Sequence, residues 1–131
     1  RFTALAGLAG KGIFGGVMVM PVLPFINDNE ENIAAIVSKA AERGASFIYP
    51  AFGVTLRSNQ REYFYQKLDM YFPGVKQQYI NTFADSYSCG SKHYKRLKYI
   101  FESECLKHKL LYRMPDIIAA YKTEKDFMWL A

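Results

Sequence analysis

The residues best placed to do chemistry lie between two apolar runs, in Pro21-Val22-Leu23-Pro24-Phe25-Ile26-Asn27-Asp28. Two prolines three positions apart stiffen an extended backbone, and the short oxygen-bearing side chains of Asn27 and Asp28 turn such a backbone into a helix N-terminus. A rigid backbone with open amides at a helix start suits an anionic or polar ligand. The same residues also make a plain, stiff strand-to-helix turn, and both readings stand at this point.

The remaining reactive side chains are weaker signals. Cys89 and Cys105 are 16 positions apart, with no CxxC and no regular spacing to His93 and His108, so a zinc site is poorly supported. They read as free thiols in a reducing compartment. Lys92, Lys95, Arg96 and Lys98 crowd one side of a helical stretch, with Lys107, Lys109 and Arg113 nearby. Such a face can contact phosphates while Tyr94 or Tyr99 stacks on bases. Glu102 and Glu104 interrupt the patch, and a solvated helix face explains the same charges. A net charge of +5, from 17 basic and 12 acidic residues, is too modest an excess to define a nucleic-acid binder.

The elements that must position these residues are legible from periodicity. Val17 to Met20 is a continuous apolar run after Gly15-Gly16, as in a strand covered on both faces. Asp28 is placed to cap the following helix, with Glu31 as capping-box partner and Ile33, Ile36, Val37 and Ala40 at helical spacing. Gly44 closes that helix, and Phe47 to Ala51 is a second apolar strand. Strand, helix and strand form a βαβ unit, expected to be parallel and right-handed. Its longer connection, Pro21 to Asn27, falls at the carboxyl ends of the strands, where open sheets and barrels bind ligands.

Around this unit, Phe2 to Ala9 reads as a buried helix stopped by Gly10-Lys11-Gly12. Ser58 to Phe72 reads as an amphipathic helix with Phe64, Leu68, Tyr71 and Phe72 inward, stopped by Pro73-Gly74, and Val75 to Phe83 as a shorter one. Ser86 to Ser91 reads as a polar loop. Lys92 to Lys109 predicts a long helix with Tyr94, Leu97, Ile100, Phe101 and Cys105 on one stripe. Leu110 to Met114 reads as a terminal strand or extended segment halted by Pro115, with Asp116 capping a last helix through Tyr121. With half of its 131 residues hydrophobic, the chain is expected to pack a core. No run approaches the roughly 18 apolar residues that span a bilayer, so a soluble, cytoplasmic protein with no membrane partner is expected. Arg1, already in a helical pattern, reads as a boundary or cleavage point.

The order of strand, P-x-x-P-x-x-N-D, helix, Gly-Ala and strand resembles the later strands of radical S-adenosylmethionine enzymes, in particular the spore-photoproduct-lyase-like branch often labelled DNA repair photolyase. Arg1, Leu5, Leu8, Gly12-Ile13, Pro21, Pro24, Asn27-Asp28, Gly44-Ala45 and Leu56-Arg57 occupy the places of that pattern. Phe2 departs from the usual Leu, a conservative change. The likeness covers residues 1–72, and 73–131 correspond only to the aromatic, basic extension common in such proteins. It implies an α/β fold, with residues 1–72 as the C-terminal part of a partial (β/α)6 barrel and residues 73–131 as a mainly helical extension packed on it.

The resemblance further implies that Met20, Pro21, Phe47, Ile48 and Tyr49 line the cofactor, and that Asn27, Asp28 and Arg57 meet substrate. The family's [4Fe–4S] cluster needs a CxxxCxxC loop, and no such motif occurs in these residues. On this reading the chain carries no cofactor and is inactive alone. The cluster and S-adenosylmethionine belong to a full-length lyase-like parent, whose missing N-terminal barrel segment is the expected partner. Nucleic acid is a weaker candidate partner, and a cut-down barrel with open strand edges is expected to self-associate. The competing expectation is a free-standing α/β binding module that uses the proline loop for an anion or peptide.

Overall fold

In a computed structural model, which describes residues 1–122, the apolar run after Gly15 forms β1 (Gly16–Val19) and the second run forms β2 (Phe47–Pro50). The two are parallel, in register from Gly16 opposite Phe47 to Val19 opposite Pro50. Gly16 is required there, because a Cβ would run into the carbonyl and ring of Phe47. Between the strands lies α2 (Glu30–Glu42), closed by Gly44 at φ +84°, a conformation in which glycine meets no Cβ penalty.

Helix α2 starts one residue later than the sequence predicts. Asn29, not Asp28, is its cap, and its side chain accepts a hydrogen bond from the Asn32 amide at 2.8 Å. Asp28 is drawn away by partners in the preceding loop, and Glu31 lies in the first turn beside Glu30, where acidic charge favours the helix dipole. Ile33, Val37 and Ala40 are buried, as their spacing predicts, against Leu97, Phe101 and Cys105 of α5 (Tyr94–Lys107), with Val22 and Ile48 beneath them. Burying each of the larger aliphatic side chains contributes about 1.5–3 kcal/mol.

Among the described residues α2 and α5 cover one face of the sheet, and on the other Phe14 stacks on Phe47 and meets Tyr121 of the last helix. Val17, Val19 and Ile48 pack into the α2–α5 core, whereas Met18, on the opposite face of β1, is 53% exposed. This corrects the expectation of a strand covered on both sides. Helix α1 (Phe2–Ala9) likewise buries only Leu5, so it is not the buried helix that its composition suggests.

A second core lies around Tyr79 of α4 (Val75–Phe83), whose fully buried ring meets Phe64 of α3 (Ser58–Tyr71) edge-on at 5.3 Å. Leu56, Leu68 and Cys89 complete it. Because Tyr79 docks against Phe64, Tyr65 and Leu68, the last turn of α3 is left uncovered, and Tyr71 and Phe72 are exposed rather than inward. The expected polar loop from Ser86 to Ser91 contains β4 (Ser88–Gly90), antiparallel to β3 (Gly53–Thr55). Arg61 ties this pair to α3, its guanidinium donating to the carbonyls of Leu56, Ala84 and Ser86.

Beyond α5 the chain touches the sheet once, where Leu111 bridges Phe47 in parallel. Leu111 accepts from the Ile48 amide, and its own amide donates to Ser46. The next residue of β2 facing that edge is Pro50, which has no N–H to continue a ladder. The chain therefore leaves the sheet and enters α6 (Met114–Tyr121), with Pro115 and Asp116 in its first turn. Pro115 starts this helix rather than halting the segment before it, since its missing N–H is an orphan there anyway. Among the described residues the fold is thus mixed α/β, with six helices and two two-stranded sheets. Both cores draw residues from either side of position 72. Residues 123–131 of the expected helical extension lie outside the described residues.

The Tyr79 hydroxyl donates to the Pro24 carbonyl at 3.0 Å inside the second core. Tyr79→Phe removes the donor and leaves that carbonyl unpartnered, with an expected loss of about 1–2 kcal/mol. The urea midpoint should fall while the slope of the transition stays the same.

Candidate functional site

The proline loop begins at the carboxyl end of β1 and folds back over the sheet. The Met20–Pro21 bond is cis, and Val22 donates its amide to the Ala51 carbonyl at 2.8 Å, tying the loop to the end of β2. Val22 and Pro24 are fully buried. Phe25 takes a positive φ of 66°, so its ring sits edge-on to Tyr79 at 5.5 Å, and Lys92 Nζ lies 5.3 Å from the ring centre.

The loop satisfies its own backbone. Asn27 Oδ1 accepts from the Leu23 amide at 2.6 Å, and the Asn27 carbonyl accepts from Asn32 Nδ2 at 3.0 Å. Asp28 Oδ1 accepts from the Phe25 amide at 3.0 Å, while its Oδ2 accepts from the Ser91 hydroxyl at 2.6 Å. The amides of Leu23 and Phe25 are bonded to side chains of the same loop, and at the start of α2 the Asn29 side chain takes the Asn32 amide. Asn27 Oδ1 and Asp28 Oδ1 brace the turn, and Asp28 Oδ2 ties it to Ser91.

The residues assigned to a cofactor divide between the two faces of the sheet. Phe47 lies over Gly16 and stacks on Phe14 at 5.4 Å with an interplanar angle of 29°. Tyr49 stands opposite Met18 in the register, and Met20 continues the alternation of that open face. Pro21 is exposed where the loop leaves the strand. Ile48 points the other way and is fully buried in the α2–α5 core, so its side chain packs against helices. Arg57 stands exposed at the start of α3. The neighbouring side chains of Thr55 and then Arg57 lower the Tyr87 phenol below its ordinary range. The structure therefore brings together Met20, Phe47 and Tyr49, with Met18 and Phe14 as neighbours that the sequence reading did not single out. Alternation along a strand was the signal available for Met18; the place of Phe14 depends on its long-range stacking.

The basic face of α5 is partly engaged within the chain. Arg96 pairs with Glu30 at 2.7 Å and lies over the Tyr99 ring, with its side chain still 59% exposed, so part of its charge is answered within the chain. The thiols of Cys89 and Cys105 are free and buried, in different cores. Burial pushes both thiols up, Cys105 to about 12 with further help from Glu102 and Glu104, while Arg61 partly opposes the rise at Cys89. Neither is a reactive thiolate near neutral pH. Among the described residues no group of three or more His, Cys, Asp or Glu side chains is arranged to hold a metal ion. No helix among them is long and apolar enough to cross a membrane. Neither a protein-family model, a curated protein nor a solved structure matches the chain.

Cys105 provides a pH test of this packing. Its thiol titrates near 9.0 when unfolded and near about 12 when folded, so the burial of the neutral form stabilises the fold fully below pH 9. That contribution is lost as the pH climbs from 9 toward 12. Urea midpoints of the wild type should therefore decline across this window more steeply than those of Cys105→Ala, and parallel curves would rule the effect out.

Proposed function

We propose that this chain is a C-terminal part of a radical S-adenosylmethionine barrel of the spore-photoproduct-lyase-like branch, with a lyase-like parent for which DNA is one candidate substrate. The carrying observation is the one-sided sheet. Among the described residues, two parallel strands joined through α2 are covered by α2 and α5 on one face, while the other face presents Met18 at 53% and Met20 at 47% exposure. In a (β/α) barrel the helix-free face of each strand points inward and is covered by side chains from the other strands. On this reading β2 is the last strand, and Pro50 ends its outer edge.

The residues of that inner face fit part of the implied cofactor. Met18, Met20 and Tyr49 make an apolar and aromatic wall toward the carboxyl ends of the strands, suited to an adenine and a thioether chain, and Phe47 continues that face at their amino ends. Ile48 supports the wall from behind, Pro21 shapes its rim, and Asn27 and Asp28 keep that rim rigid where substrate would meet it. Arg57 is the candidate contact for an anionic substrate group.

The same residues do not fit an iron–sulfur cluster. Cys89 and Cys105 are buried in separate cores, and a cluster needs three converging thiolates. Its ligands must come from elsewhere in the parent, and the chemistry supplied by a cluster-bound S-adenosylmethionine is radical hydrogen abstraction. This chain's own part is to wall, orient and exclude water, and alone it is inactive. The alternative is a free-standing binding module that uses the proline loop for an anion or peptide; with the Leu23 and Phe25 amides taken by Asn27 and Asp28, such a ligand would meet the first turn of α2.

The source gene is expected to encode CxxxCxxC upstream of Arg1, roughly one domain's length before it. The intact product, reconstituted without oxygen, should then release 5′-deoxyadenosine on reduction. A reading frame that starts within a few codons of Arg1 would overturn the assignment. The bare face also predicts self-association of the 131-residue chain, and Met18→Asp should shift its light-scattering mass toward the monomer; a wild type that stays monomeric at high concentration counts against that face being an unsatisfied interior.

A further inference from the structure

A second cavity, distinct from the open sheet face except for sharing Tyr49, opens where the chain beyond Leu111 parts from β2. It exists because Pro50 cannot donate to a continuing ladder. The cleft has a volume of about 630 Å³, within the range of small-molecule sites.

Its floor is a row of rings in edge-to-face contact, each nearly perpendicular to the next. Phe52 meets Tyr94 edge-on at 5.8 Å and Phe101 at 5.9 Å, and Phe101 meets Tyr112 at 6.2 Å and 87°. Phe101 is buried and fixes the row, whereas Tyr94 is 46% exposed at one end. Above the floor stand Lys98 and Glu102, one turn apart on α5, and Arg113 from the facing segment. Among the described residues none of these three side chains forms an ion pair. Two unpaired cations and one carboxylate over an aromatic floor match a ligand that is flat and aromatic at one end, anionic at the other and carries hydrogen-bond donors between. A metal ion would meet a single carboxylate beside two cations.

We propose that this cleft binds a nucleoside monophosphate, with the base on the aromatic floor, the phosphate held by Lys98 and Arg113, and Glu102 accepting from the sugar hydroxyls. Stacking alone would hold a nucleoside weakly, and the cations alone would hold phosphate weakly; the geometry rewards the two groups only when they are joined. The site rests on α5 and the 112–113 segment and stands whether or not the sheet belongs to a barrel.

Calorimetric titration of the 131-residue chain with AMP, adenosine and inorganic phosphate tests this. AMP should saturate one site, with adenosine and phosphate each weaker by about tenfold or more. Lys98→Ala and Arg113→Ala should each weaken AMP by about tenfold or more while leaving adenosine unchanged, as expected for a lost charge-assisted contact. Lys95→Ala, on the same helix but outside the cleft, should leave AMP binding as it is. The proposal is overturned if AMP fails to saturate, if Lys95→Ala weakens it as much as Lys98→Ala does, or if a single-stranded oligodeoxynucleotide binds while AMP does not.

Discussion

The structure depends on a loop that must carry the chain from the end of β1 to the start of α2 without leaving its backbone unbonded. Pro21 and Pro24 have no amide hydrogens to satisfy, and Asn27 and Asp28 supply acceptors for Leu23 and Phe25. Buried amides without partners are costly, so this self-capping is what lets Val22 and Pro24 be buried at all. The two cores meet here. Val22 belongs to the α2–α5 cluster, Phe25 and Ile26 pack on the Tyr79 cluster, and Asp28 reaches Ser91 just before α5. A change in the loop is therefore felt in both halves of the chain.

The βαβ unit was legible because its signals are local: continuous apolar runs for the strands, a helical stripe of Ile33, Val37 and Ala40, and a positive-φ glycine after it. The cap was misplaced by one residue for a non-local reason. Asp28 has the right chemistry for a cap, but Ser91, 63 positions away, and the Phe25 amide claim its oxygens, and Asn29 takes over. The β3–β4 pair escaped notice because three-residue strands are too short to show alternation.

Site residues followed the same division. Met20, Phe47 and Tyr49 share the open face that strand alternation allots to them, and Ile48, one residue out of step, falls on the helix side. Asn27 and Asp28 were legible as turn-formers, but whether their oxygens face a ligand or their own loop is a matter of backbone path, which Phe25 at φ +66° decides. The aromatic cleft was invisible in sequence, since it joins Phe52, Phe101 and Tyr112 through tertiary packing and exists because a ladder stops.

Pro50 gives the parallel sheet a direction in which it can grow. On the flank of β2 the missing amide hydrogen terminates pairing after one bridge, whatever chain is offered. On the flank of β1 no strand is paired among the described residues, and no proline interrupts Gly16 to Val19. A further strand, from any source, is admitted on one side and refused on the other, so the sheet is extensible from its first strand and sealed at its second.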